Sequence, residues 1–107
     1  MKYRKDKYGR EISQLGFGCM RFPQKGRTID YDETEKLLLY AIEQGVNYFD
    51  TAFVYPGSEE CLGALLAKNN AREKVYIATK LPQYIMRTPA QIEKTFQEEL
   101  TRVQTDY

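Results

Sequence analysis

The spacing of apolar positions along the chain changes several times, and each change marks an element. Residues 2–13 are polar and charged, with Tyr3 and Ile12 placed to lie on opposite arms of a hairpin. Tyr8-Gly9 supplies a residue that tolerates positive φ at its turn. The cations around it read as a solvated face. Leu15-Gly16-Phe17-Gly18-Cys19-Met20 is short, apolar and glycine-rich, which suits a buried strand or strand end. Residues 23–28 hold a proline, a glycine and two cations and read as a loop. A helix then starts near Asp30. Asp30 is its cap, and Glu33 is spaced to complete a capping box. Thr34, Leu37, Leu38, Ala41 and Ile42 fall on one stripe, and Gly45 is a natural stop.

Val46–Asp50 reads as a strand whose last residue carries a carboxylate out of the carboxyl end. A loop with Pro56 follows, and a second helix is expected after Ser58. Glu59 and Glu60 stand in its first turn, and Leu62, Leu65 and Leu66 form its apolar face. Val75–Lys80 is the clearest strand, rich in β-formers and closed by Pro82. The third helix opens with Thr88 as cap, Pro89 at the first position and Gln91 at the third. Its stripe is Ile92, Phe96, Leu100 and Val103. A hairpin followed by strand and helix three times predicts an α/β fold of parallel strands with helical crossovers. That pattern alone fits an open doubly wound sheet or a (β/α) barrel.

Composition narrows the function classes. The 107 residues contain 16 Lys+Arg and 15 Asp+Glu, a net charge of +1, which gives no cationic excess for neutralising phosphates, so no nucleic-acid partner is expected. Mean hydropathy is −0.63, and no apolar run approaches the roughly 18 residues of a membrane span, so no membrane partner is expected either. No apolar segment follows the charged start as in a secretory signal. Cys19 and Cys61 form no metal motif and allow at most one disulfide, so the chain reads as reduced and cytoplasmic. Histidine is absent, which removes the commonest general acid–base and metal ligand.

Two segments carry candidate chemistry. Gly16-x-Gly18 has Arg21 where a dinucleotide fingerprint needs its third glycine, so close packing at a strand end is the plainer reading. The run from Gly45 to Gly63, followed by Val75–Lys80, is more informative. Asp50, Tyr55 and Lys80 each stand at or just past the carboxyl end of a strand, and in a barrel those ends share one face. Taken singly, they read as a cap, a loop aromatic and a solvated strand end. Together they make chemical sense. A phenol with pKa about 10 is a poor acid at neutral pH. An adjacent ammonium favours the phenolate, and a carboxylate holds the ammonium. The product is a proton donor for an oxygen that gains negative charge.

With D-T-A-x-x-Y, E-x-x-x-G behind it and A-T-K after the next strand, the chain resembles the N-terminal part of an aldo/keto reductase. Gly-Phe-Gly-Cys-Met-Arg and Ala-Thr-Lys-Leu-Pro are similar to a bacterial branch whose members often carry a C-terminal iron–sulfur, ferredoxin-like segment. The resemblance implies a (β/α)8 TIM barrel whose bottom is plugged by the hairpin at residues 2–13. It implies NADPH-dependent reduction of small aldehydes or ketones, and a catalytic tetrad of Asp, Tyr, Lys and His. Asp50, Tyr55 and Lys80 match the first three. Gly18, Cys19, Met20 and Asp50 match the segment beside the nicotinamide. No metal site is implied within this chain, and an iron–sulfur cluster would belong to a longer parent.

The histidine has no match, and a whole barrel needs about 250 residues. Residues 1–107 are therefore expected to be an N-terminal fragment of one barrel domain, a hairpin plus about three strand–helix units. Alone it is expected to be inactive and to self-associate through its open sheet edge. The alternative reading is a non-catalytic module that binds a cofactor or partner, or a truncated remnant.

Overall fold

A computed structural model describes all of residues 1–107. The first hairpin pairs β1 (Tyr3–Lys5) with β2 (Glu11–Ser13), Tyr3 opposite Ser13. Residues 23–28, expected as a loop, instead form a second small hairpin of β4 (Gln24–Lys25) and β5 (Thr28–Ile29). The reason is Gly26, whose φ of +68° makes a tight reversal between them. Between the hairpins lies β3 (Phe17–Gly18), and three helices follow: α1 (Tyr31–Glu43), α2 (Ser58–Lys68) and α3 (Pro89–Val103). Strands β6 (Tyr48–Asp50) and β7 (Tyr76–Ala78) separate them.

Strands β3, β6 and β7 form one parallel sheet in that order. Its register explains its two faces. Phe17, Phe49 and Ile77 stand in one row and point toward the helices, with the Phe17 and Phe49 rings stacked 5.4 Å apart. Gly18, Asp50 and Ala78 form the next row and point the other way. The core beneath the first row is built from Cys19, Phe22, Leu38, Phe49, Cys61, Leu62, Leu66 and Val75, among others. The other face has no second layer, and the chain is a slab of 41 × 41 × 22 Å. Parallel sheets are ordinarily covered on both faces or closed into barrels. Here three strands give an open portion of that architecture.

Local chemistry sets the helix ends. Asp30 accepts the Glu33 N–H as expected, but Glu33 turns its carboxylate to Lys36 at 3.1 Å, so the box at α1 is one-sided. At α3 the box is complete, with Thr88 and Gln91 each bonding the other's backbone. Gly45, at φ +91°, closes α1: its N–H bonds the Ile42 carbonyl and the Val46 N–H bonds that of Ala41. The second helix begins at Ser58 rather than after it. Gly57 precedes it, and the Ser58 hydroxyl donates to the Cys19 carbonyl at 2.7 Å instead of capping.

The helical stripes are only partly buried. Thr34, Leu38 and Ala41 are buried on α1, but Leu37 is exposed. On α3 Val103 is buried and Leu100 half-buried, whereas Ile92 and Phe96 remain 44% and 43% exposed. These side chains lie on the correct face of the helix, but the rest of the chain covers each of them only a little more than halfway. Helices α2 and α3 meet closely at Gly63, which is buried in α2. A Cβ there would lie 2.6 Å from the Arg102 and Val103 carbonyl oxygens, so α2 and the end of α3 touch backbone to backbone.

The first hairpin is tied to the amino end of β6. Asn47 exchanges bonds with Ser13 at 2.8 and 3.0 Å and donates to the Glu11 carbonyl, while the Tyr3 hydroxyl donates to the Gly45 carbonyl. It therefore sits at the opposite end of the sheet from Asp50. No helix is long and apolar enough to cross a membrane.

Candidate active site

At the carboxyl ends of β6 and β7 the sheet brings Asp50, Tyr55 and Lys80 together. Asp50 is the last residue of β6, and Lys80 lies two residues past β7. The ladder continues past the strands, with Thr51 N–H on the Ala78 carbonyl at 2.8 Å and Phe53 N–H on the Lys80 carbonyl at 3.2 Å. Those bonds fix the turn 51–57 beside residue 80. Within that turn the Tyr55 N–H bonds the Ala52 carbonyl, and the Ser58 N–H bonds that of Tyr55.

The Lys80 ammonium has three donors, and each finds an acceptor. Nζ lies 2.6 Å from Asp50 Oδ1, 2.8 Å from the Thr51 carbonyl and 3.4 Å from Tyr55 Oη. Partial burial pulls the ammonium down, but its bonds and charge interactions with Asp50 and Tyr55 outweigh that and hold it above the usual lysine value. Because the Tyr55 oxygen accepts from Lys80, its own O–H is free to donate elsewhere. Half the Lys80 side chain and 41% of that of Asp50 remain accessible, so the site is open to water.

The residues expected beside a cofactor separate. Gly18 is exposed and pairs directly with Asp50 across the sheet, and a Cβ on it would meet nothing within 4 Å. Met20 is 60% exposed. Cys19 is fully buried in the core, its N–H bonded to the Asp50 carbonyl and its carbonyl to Ser58. Its side chain is turned away from any ligand on the open face; it anchors Gly18 and Met20. Both cysteines are free, and burial pushes the Cys19 thiol up to about 12 and that of Cys61 up to about 11. Neither is a nucleophile near neutral pH.

Sequence reasoning missed the supporting groups. The Thr51 carbonyl is a full partner of Lys80. The Thr51 hydroxyl meets Ser58 Oγ at 2.8 Å, and since Ser58 donates to Cys19, Thr51 is the donor. Arg102 and buried Glu59 form an ion pair at 3.2 Å next to the site. The one local hint was a pair of carboxylates opening an otherwise apolar helix; nothing tied it to an arginine 43 residues away.

The model of the aldo/keto reductase family matches residues 14–107, and this chain belongs to that family. It is 42% identical over 73 residues to an aldo-keto reductase of Gibberella moniliformis, covering 65% of this chain and 22% of that protein. It is 32% identical over 118 residues to the protein tas of Escherichia coli, covering 91% of this chain and 33% of the relative. Among solved structures, the Bombyx mori aldo-keto reductase in complex with NADP superposes with a TM-score of 0.75 at 29% identity. That match covers 99% of this chain and 35% of the other. The chain thus spans a third or less of the length of these curated relatives. The α/β reading as part of a (β/α)8 barrel, with no closed barrel among these strands, holds.

Proposed function

We propose that these residues form the proton-donating part of a site that reduces small aldehydes or ketones at the expense of NADPH. The observation that carries this is the threefold commitment of the Lys80 ammonium, to Asp50, Thr51 and Tyr55. NADPH, when bound, supplies the hydride. Gly18, Met20 and Asp50 would hold its nicotinamide end, because the open space over Gly18 admits a flat ring next to Asp50. As a carbonyl oxygen gains negative charge, Tyr55 gives it the free O–H proton. The Lys80 ammonium, 3.4 Å away, stabilises the charge left on the phenol oxygen. Asp50 holds that ammonium in place.

The family tetrad also includes a histidine that orients the carbonyl, and the chain has none. Residues for the phosphate end of the cofactor are not apparent here either. The 107-residue chain alone is therefore expected to consume no NADPH above background with reactive aldehydes and quinones. The same residues joined to the remaining two thirds of the Escherichia coli relative are expected to turn over. Robust turnover by the chain alone, or none by a folded completed barrel, goes against this reading.

We also infer that the isolated chain self-associates. The outer edge of β7 has no strand beside it, and Ile92 and Phe96 on α3 remain partly exposed. Sedimentation velocity is expected to show oligomers that grow with concentration; a cooperative monomer at high concentration would refute the inference.

A further inference from the structure

Outside the site, buried Glu59 and Glu99 and half-buried Arg102 form a charged cluster, and one part of it reaches the site from below. Glu59, in the first turn of α2, is fully buried. Its Oε2 accepts the Thr79 hydroxyl at 2.8 Å and its Oε1 accepts Arg102 Nη1 at 3.2 Å. The same Nη1 donates to the Phe53 carbonyl at 3.2 Å, and the guanidinium lies 4.0 Å over the Phe53 ring. Its remaining nitrogens meet Glu60 at 3.3 Å and Glu98 at 2.8 Å.

Two of the groups held by this hub lie next to site residues. Phe53 belongs to the turn that presents Tyr55, and Thr79 precedes Lys80. The backbone contact at Gly63, one turn along α2 from Glu59, brings the end of α3 close enough for Arg102 to reach both. A buried ion pair adds little net stability over a well-packed apolar pair of the same volume. An apolar pair would not grip a carbonyl on one segment and a hydroxyl on the other at once. What needs gripping is the weakest contact of the site. Lys80 is 2.6 and 2.8 Å from Asp50 and Thr51, but 3.4 Å from Tyr55, at the limit of a hydrogen bond. A shift of a few tenths of an ångström in the turn would break that contact and leave the other two.

We propose that Arg102 and Glu59 are positioning residues that set the separation between the Lys80 ammonium and the Tyr55 phenol oxygen. The inference rests on the functional reading above, but its test does not. In the isotopically labelled completed barrel, the Lys80 side-chain methylene and Tyr55 ring protons are expected to give a through-space cross-peak. Lys80→Arg and Tyr55→Phe assign it. Arg102→Lys keeps the charge but loses the planar fork. It is expected to remove most of that cross-peak while leaving the Lys80–Asp50 contact, read from the Lys80 15Nζ shift, where it was. Thr79→Val releases the other tether without changing any charge, and is expected to weaken the same cross-peak even if the Arg102 variant does not fold. Glu59→Gln, which retains an acceptor, is expected to restore part of it relative to Glu59→Ala. Folded Arg102→Lys and Thr79→Val chains with the wild-type cross-peak would overturn the proposal. If Tyr55 proves irrelevant to turnover, the functional reading fails while this geometric result stands.

Discussion

Replacing Tyr55 by Phe in the completed barrel is expected to lower the rate of NADPH-dependent carbonyl reduction about 10²–10⁴-fold, with NADPH affinity unchanged. The substitution deletes one oxygen and leaves the ring in place. It removes both the acceptor for the third Lys80 hydrogen and the only proton the cluster offers outward. A loss of that size corresponds to about 3–5 kcal/mol of barrier. It should fall on kcat, because the proton is delivered only as the carbonyl oxygen becomes charged. Lys80→Met should approach the same loss, since the charge left on the phenol oxygen then has no cation 3.4 Å away. Asp50→Asn should cost less, because the Thr51 carbonyl still holds the ammonium at 2.8 Å. Stopped-flow measurement of NADPH oxidation at saturating aldehyde decides the matter. A Tyr55→Phe enzyme that keeps most of its wild-type kcat would rule out the proton-donor role.

That Asp50, Tyr55 and Lys80 would meet was legible because chemistry and topology coincide there. A carboxylate ending one strand and an amine just past the next lie side by side when those strands are neighbours in a parallel sheet, and Tyr55 sits on the turn that leaves the first of them. The complete box at Thr88–Gln91 was legible for a local reason, since both partners lie within one turn. The hairpin at residues 23–28 was not, because its two-residue arms are too short to show alternation. Helical periodicity gave the right face of α3 but could not tell that Ile92 and Phe96 would stay partly exposed; burial depends on a neighbour, not on the helix itself. Leu37 on α1 behaves the same way. The Glu59–Arg102 pair was beyond reach in principle. Charged residues in amphipathic helices are normally solvated, and only the backbone contact at Gly63 turns these two inward.

The same contact leaves Glu99 in an unusual position, and stability should depend on pH because of it. Glu99 is 2% exposed, and its Oε1 has no hydrogen-bond partner. It lines a small cavity of about 100 Å³ together with Ile77, Phe96, Leu100 and Val103. Burial pushes its carboxyl up to about 7, the charge of Glu59 adds to that, and Arg102 opposes it. Burial also raises Glu59, against its bonds from Thr79 and Arg102. A raised acid holds its proton in the folded chain to a higher pH than in the unfolded chain. Its stabilising contribution is therefore complete below pH 4.5 and is lost as pH rises toward 7. Between pH 5 and 8 the loss is about 2–3 kcal/mol, from a displacement of roughly 2.5 pKa units. Glu59, raised as well, adds to the loss in the same direction, and the lowered carboxylates and the thiols act outside this window. Asp6 and Glu35 are lowered and matter in acid, whereas the two thiols matter only in base. Urea unfolding at pH 5 and pH 8 should thus show the wild-type chain weaker at pH 8. Glu99→Gln should flatten most of that difference and be the more stable chain at pH 8. Glu99→Leu, which buries no polar atom beside Ile77 and Val103, should do the same more strongly. A wild-type stability that rises from pH 5 to 8, or a Glu99→Gln chain with the wild-type slope, would show that this carboxyl is not held in its neutral form by burial.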